Sequence, residues 1–166
     1  YANICYFRCK FSAFSKCRTH EDLRVSPYDL AIEEITRRAI EARDRGATEV
    51  CLQGGIHPDY TGATYEVICR AIKAAVPEMH IHAFSALEVT QGAATLGLTV
   101  REFLTRLKAA GLGTLPGTAA EILDAEVRTI ICPDKINTGQ WLDVQRAAHE
   151  AGLRTTSTIM YGHVET

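Results

Sequence analysis

No apolar run in this chain approaches the roughly 20 residues that a membrane-spanning helix needs, so a bilayer span is not expected. No basic run exceeds Arg37-Arg38, and the net charge is −2. Neither nucleic acid nor an anionic membrane surface is therefore implied as a partner. No Gly-x-Gly-x-x-Gly loop follows any strand-like stretch, which argues against a dinucleotide-binding sheet. Repeats, low-complexity tracts and linker-like segments are also missing, so nothing marks a domain boundary. There is no secretory leader, which makes the cytoplasm the default compartment. The chain opens on Tyr1 instead of Met and stops at Thr166, just after a strand-like run. The expectation is a single core domain, 1–166, truncated at both ends from a larger protein.

What is present suits a globular core: 166 residues, 46% hydrophobic and 23% charged. Six cysteines divide into Cys5, Cys9 and Cys17 near the start and Cys51, Cys69 and Cys132 in apolar segments. That distribution reads as intracellular thiols, not a disulfide framework. The three later cysteines are expected to be buried and free.

Strand-like and helix-like stretches alternate along the chain. Ser26-Pro27-Tyr28-Asp29 is expected to open a helix that Gly46 ends. A strand over Glu49–Gln53 leads to Gly54-Gly55. A helix over Thr64–Ala75 buries Tyr65, Ile68 and Ile72. A strand follows over His80–Phe84, then a long loop from Ser85 to Leu98. Thr99-Val100-Arg101-Glu102 is a capping box for a helix that Gly111 ends. After a brief strand over Gly113–Leu115, Thr118-Ala119-Ala120-Glu121 reads as a second capping box. Helices over Asp124–Ile131 and Thr138–Ala151 precede a last strand over Arg154–Met160. Such alternation means parallel strands joined by helical crossovers, as an open sheet or a barrel.

The conspicuous polar residues share one kind of place. Cys5, Cys9 and Ser12 follow the presumed first strand, and Gln53, Gly54, Gly55 and His57 the second. Ser85 and Glu88 follow the third, Pro116-Gly117-Thr118 the fourth, and Tyr161-Gly162-His163 the fifth. In a parallel barrel these loops share the C-terminal rim, where active sites are built. Polar, glycine-rich loops also arise wherever strands meet helices, but an early cysteine pair among aromatics asks for more. Cys5 and Cys9, four apart, suit a metal centre; a structural zinc pair is the alternative.

Five stretches carry a resemblance: Asn3-Ile4-Cys5-Tyr6-Phe7-Arg8-Cys9-Lys10-Phe11, Cys51-Leu52-Gln53-Gly54-Gly55-Ile56-His57-Pro58-Asp59, His82-Ala83-Phe84-Ser85, Leu115 to Leu123, and Ser157 to His163. Together they resemble the radical S-adenosylmethionine (SAM) enzymes of the FO synthase family, and within it the tyrosine-using, hydroxybenzyl-transferring half. The sister enzymes of the futalosine route to menaquinone share several of these stretches and stand as the alternative. The resemblance implies an α/β fold, a partial (β/α) TIM-like barrel with about five βα units. It implies a [4Fe-4S] cluster held by Cys5, Cys9 and the residue at position 12, and SAM beside Phe11, Gln53, Gly54 and Gly55. It also implies a 5′-deoxyadenosyl radical that acts on L-tyrosine and passes its 4-hydroxybenzyl group to 5-amino-6-(D-ribitylamino)uracil. The other half of FO synthase, fused or separate, would be the partner.

Ser12 departs from the family's Cys-x3-Cys-x2-Cys pattern. A hydroxyl is harder and far less acidic than a thiol, and cluster iron prefers thiolate. The expectation is a weak or absent cluster in this chain; Cys17, eight residues past Cys9, would need a different loop to substitute. A cluster-free, non-catalytic remnant is thus a rival reading. His57, Glu88 and His163 are the candidate catalytic groups. For the two histidines proton transfer or substrate contact competes with a structural hydrogen bond. For Glu88, binding an amino group competes with a solvated loop acid. Glu121 is read as the capping partner of Thr118, and His80 and His82 as packing or surface.

Overall fold

The computed structural model describes residues 1–5, 7 and 26–164. Among the described residues, four strands, β1 (Glu49–Leu52), β2 (His80–Ala83), β3 (Thr114–Leu115) and β4 (Arg154–Thr155), lie in that order in one sheet. All neighbours are parallel, with Glu49 opposite His80, His82 opposite Thr114 and Leu115 opposite Thr155. Six helices join and flank them: α1 (Ile32–Asp44), α2 (Gly62–Ala75), α3 (Ala86–Thr95), α4 (Val100–Ala109), α5 (Ala125–Ile131) and α6 (Thr138–Glu150). The expected α/β architecture, a piece of a (β/α) barrel, is what the chain forms. The presumed first strand is reduced, among the described residues, to residues 1–3 beside the end of β1. There Tyr1 N donates to Gln53 O at 3.2 Å and Gly55 N to Ala2 O at 2.9 Å.

The core follows the helical spacing. Tyr65, Ile68, Cys69 and Ile72 of α2 are buried with Ile81 and Ala83 of β2, Phe103, Leu104 and Leu107 of α4, and Trp141, Val144 and Ala148 of α6. Thr99 caps α4 through the Glu102 amide as its capping box predicts, and Gly111, at φ 109, follows its end. Asn137 and Asp124 cap α6 and α5.

Five local expectations are corrected. The helix expected from Ser26 begins only at Ile32. Residues 28–30 pair with the N-terminal segment instead: Asn3 N donates to Tyr28 O and Leu30 N to Tyr1 O, and the Asn3 side chain accepts from Tyr28 N. The long loop at 85–98 contains α3. Ser85 caps it and Glu88 closes the capping box. Within it Gly92 permits close packing: a Cβ there would lie 2.7 Å from the Phe103 ring and 3.1 Å from Tyr65. Thr118–Glu121 is no capping box, because Ala119 and Glu121 adopt φ 61 and 51 and leave the helical region. Finally, Cys51 is exposed, on the same strand face as exposed Glu49, whereas Cys69 and Cys132 are buried. The last strand is shorter than expected, yet pairing continues irregularly past it: Thr156 N, Thr158 N and Met160 N donate to Leu115 O, Gly117 O and Glu121 O.

Candidate active site

The C-terminal ends of all four strands open on one cavity of about 500 Å³. β1 contributes Gln53, Gly54, Gly55 and Ile56, β2 Ser85, Leu87 and Glu88, β3 Thr118, Ala119 and Glu121, and β4 Thr158 and Met160. Ala2, Asn3 and Cys5 form its N-terminal wall, and Lys135 reaches it from the loop after α5. The volume lies within the roughly 300–1,000 Å³ range of small-molecule sites.

Glu88 is the most enclosed charged group on this wall, at 1% exposure. It occupies the first turn of α3, where Ser85 N donates to its Oε2 at 2.7 Å. The Tyr1 hydroxyl donates to its Oε1. Burial pushes the Glu88 carboxyl above the ordinary range, while hydrogen bonds from Tyr1, Ser85 and the Gly54 backbone oppose that rise. Burial, aided by Glu88, raises the Tyr1 phenol as well. Glu88 is therefore not a solvated loop acid. It joins the ends of β1 and β2 to the segment that carries Cys5.

Gly54 and Gly55 line the cavity, but their missing side chains make room for the chain itself. A Cβ on Gly54 would lie 2.6 Å from the Tyr1 ring, and one on Gly55 2.3 Å from Ile4 O and 2.8 Å from Cys5 Cβ. Glycine here lets the cysteine segment lie against the end of β1. Cys5 is half-buried on the cavity wall. Cys9, Phe11, Ser12 and Cys17 lie outside the described residues.

The two candidate histidines stand elsewhere. His57 is buried and does not line the cavity. Its Nδ1 accepts from Asp59 N at 3.1 Å, and its ring stacks on Tyr60 at 4.7 Å. His163 accepts from Val164 N through Nδ1 and also lies off the cavity wall. His80 and His82 share one partner, Thr114 Oγ1, at 2.8 and 2.7 Å.

Sequence reasoning missed Lys135 and misassigned Glu121. They form an ion pair of 2.5 Å with each side chain about one-tenth exposed. Lys135 follows Pro133-Asp134 in a loop with no periodicity, so only the folded chain brings it to the site. No group of three or more metal-capable side chains occurs among the described residues.

The sequence profile of the radical SAM superfamily matches residues 1–166. The chain belongs to the radical SAM superfamily. Its curated relatives include the FO synthase of Streptomyces avermitilis, 51% identical over 99% of this chain and 19% of that protein. The FO synthase of Mycobacterium tuberculosis (H37Rv) is 48% identical over the same shares. The 5-amino-6-(D-ribitylamino)uracil–L-tyrosine 4-hydroxyphenyl transferase of Methanothermobacter thermautotrophicus is 47% identical over 99% of this chain and 44% of that protein. The chain thus spans about a fifth of the length of the FO synthases it matches and under half of that transferase. Among solved structures, HydG, a maturase of the [FeFe]-hydrogenase, superposes with a TM-score of 0.72 at 17% identity. It covers 97% of this chain and 34% of HydG, and speaks for the fold.

The superfamily implies SAM and a [4Fe-4S] cluster. The cavity fits SAM in size and in its mixture of glycine backbone, amide and carboxylate groups. The cluster fits less well. Cys5 offers one thiol at the wall, whereas Cys9 and Ser12, the other two positions expected from the sequence, lie outside the described residues.

Proposed function

We propose that this chain is part of the catalytic barrel of a radical SAM transferase that takes L-tyrosine and 5-amino-6-(D-ribitylamino)uracil. The product would be the deazaflavin chromophore precursor made by FO synthase. The observation that carries the reading is the convergence of four parallel strand ends and the Cys5 segment on one cavity, in a chain 47–51% identical to those relatives. When bound, SAM and a reduced cluster supply the radical initiator; the protein's part is position and exclusion of water.

Within that reading the chain's own residues do three things. Gly54 seats Tyr1, and Gly55 seats Ile4 and Cys5, against the β1 end. Glu88 fixes that seat by accepting from Tyr1 and Ser85. Gln53, Ser85 and Thr118 supply polar groups to a wall otherwise partly apolar. The domain 1–166 is then one part of a core that continues in a longer protein, and the second FO synthase half is its partner. A cytoplasmic location suits oxygen-sensitive chemistry, and no described helix is long and apolar enough to cross a membrane.

Ser12 favours a second reading, in which this copy keeps the barrel but has lost the reaction. The deciding assay gives the full-length protein L-tyrosine, the aminouracil, SAM and reductant under anaerobic conditions. It follows 5′-deoxyadenosine and the hydroxybenzyl adduct by mass spectrometry, for the native chain and Ser12→Cys. Adduct from Ser12→Cys supports the transferase lineage, and adduct from the native chain as well sinks the remnant reading. 5′-Deoxyadenosine without adduct from Ser12→Cys contradicts the proposed substrates.

A further inference from the structure

Two tyrosines beside the β1 end each donate their hydroxyl to a carboxylate. Tyr1 donates to Glu88 Oε1, and Tyr60, in the loop between β1 and α2, donates to Asp29 Oδ1. Their rings stack at 6.2 Å with 14° between the planes. The pair runs from inside to outside. Glu88 and Gly54 line the cavity and Tyr1 is buried behind them, whereas Tyr60 is half-buried and the Asp29 side chain is 41% exposed. His57 packs on Tyr60 at 4.7 Å and stands 3.9 Å from Asp29.

Packing alone does not require phenols here. Phenylalanine fills such places, as Phe84 and Phe103 do in the same aromatic cluster. A phenol with a carboxylate at its proton is what one-electron oxidation requires. A phenol that loses an electron becomes a cation, and a buried isolated charge is costly. The cost is avoided when the phenolic proton passes to a bonded base as the electron leaves. Glu88 suits that part, because burial raises its affinity for a proton. Tyr65 provides the contrast. Its ring lies 6.2 Å from that of Tyr60, but its buried hydroxyl is bonded to no carboxylate among the described residues.

We propose that Tyr1 and Tyr60 form a redox-active pair that carries an oxidising equivalent from the cavity wall to the surface. The oxidant is a peroxyl radical. It takes one electron from Tyr1 and a proton from water, and leaves as a hydroperoxide. The phenolic proton of Tyr1 moves to Glu88, so a neutral phenoxyl radical remains. Tyr60 then gives an electron to Tyr1 and its phenolic proton to Asp29, while Glu88 returns its proton to Tyr1. Asp29 releases its proton to solvent, which replaces the one taken from water. The radical now stands on Tyr60, where a small thiol in solution quenches it by giving up a hydrogen atom. The inference is independent of which substrates the cavity takes.

The test exposes the full-length protein to peroxyl radicals from an azo initiator in air and follows tyrosyl radicals by freeze-quench electron paramagnetic resonance. In the native protein the signal is expected to be lost promptly when glutathione is added. In Tyr60→Phe the radical is stranded on Tyr1, and the signal is expected to persist through the same treatment. Adding Tyr1→Phe or Glu88→Gln to Tyr60→Phe is expected to remove the persistent signal, and adding Tyr65→Phe to leave it. A second readout maps the adducts of a nitroso spin trap by peptide mass. Tyr60 is expected to carry more adduct than Tyr161, although Tyr161 is 84% exposed. Asp29→Asn is expected to lose the Tyr60 adduct and keep that of Tyr161. Equal decay in the native protein and Tyr60→Phe overturns the pair, as does a persistent signal that survives Tyr1→Phe. Adducts that rank by exposure alone, or no tyrosyl signal from either protein, overturn it as well.

Discussion

The Tyr1 hydroxyl donates to the Glu88 carboxylate, joining the start of the chain to the first turn of α3. Tyr1 is only 8% exposed, and its ring lies edge-on to Phe84. This contact fixes the segment that leads into Cys5, so the cysteine segment is positioned by a buried acid on a different strand end.

Glu88→Ala leaves the Tyr1 hydroxyl and the Ser85 amide without their acceptor. The expected loss is about 1–3 kcal/mol of unfolding free energy for the buried groups left unsatisfied. Urea denaturation followed by circular dichroism measures it.

The same carboxylate gives a pH signature. Its pKa in the folded chain is raised above the ordinary 4.5, chiefly by burial. Over a window that begins near that value and extends upward, the folded chain binds more protons than the unfolded one. The Glu88 contribution to stability is therefore complete below the window and falls as pH rises through it. Glu88→Gln does not titrate, so the stability advantage of the native chain over it should shrink as pH rises above about 4.5. A gap that widens over this range contradicts the assignment.

Gly55→Ala should be costly and Gly139→Ala should not. A methyl on Gly55 meets Ile4 O at 2.3 Å, whereas one on Gly139, inside α6, meets only Asn137 Oδ1 at 3.4 Å. The expected outcomes are a loss of about 1–3 kcal/mol for Gly55→Ala and a gain of up to about 1 kcal/mol for Gly139→Ala. Thermal melts of the two variants side by side test the contrast.

Thiol chemistry should rank the described cysteines. Cys51 is exposed. Burial, with Glu66 nearby, pushes the Cys69 thiol up to about 12, and burial raises that of Cys132. Iodoacetamide at about pH 8 should alkylate Cys51 well before Cys69 or Cys132, as read by peptide mass mapping. Early labelling of Cys69 would contradict the packing of α2.

Much of the fold was legible because it rests on local signals. Thr99 with Glu102 fixed the start of α4, and Tyr65, Ile68 and Ile72 marked the buried face of α2. The alternation of strands and helices implied parallel pairing and hence a shared rim. The failures came where tertiary contacts outrank local pattern. Ser26-Pro27 has the chemistry of a helix start, but the following residues pair with Asn3 and Tyr1. Ser85 with Glu88 is a capping box as plain as that of Thr99, yet the stretch after it was read as a loop; Gly92 in that helix packs against Phe103. Thr118 with Glu121 has the spacing of a cap, yet Arg128 holds that loop in another conformation. At the site, Gln53, Gly54, Gly55, Glu88 and Cys5 were foreseen on the wall. Lys135 was not, because no short-range pattern announces a partner fourteen positions away.

The most direct test of the account is the electron paramagnetic resonance spectrum of the anaerobically reconstituted, dithionite-reduced protein, native and Ser12→Cys, with and without SAM. The proposal that Ser12 replaces a cluster thiolate predicts little cluster signal from the native chain. It predicts a [4Fe-4S] signal from Ser12→Cys that changes when SAM is added. Equal signals from the two proteins would contradict the missing-thiolate claim, and no SAM-sensitive signal from either would contradict the assignment of this cavity as a radical SAM centre.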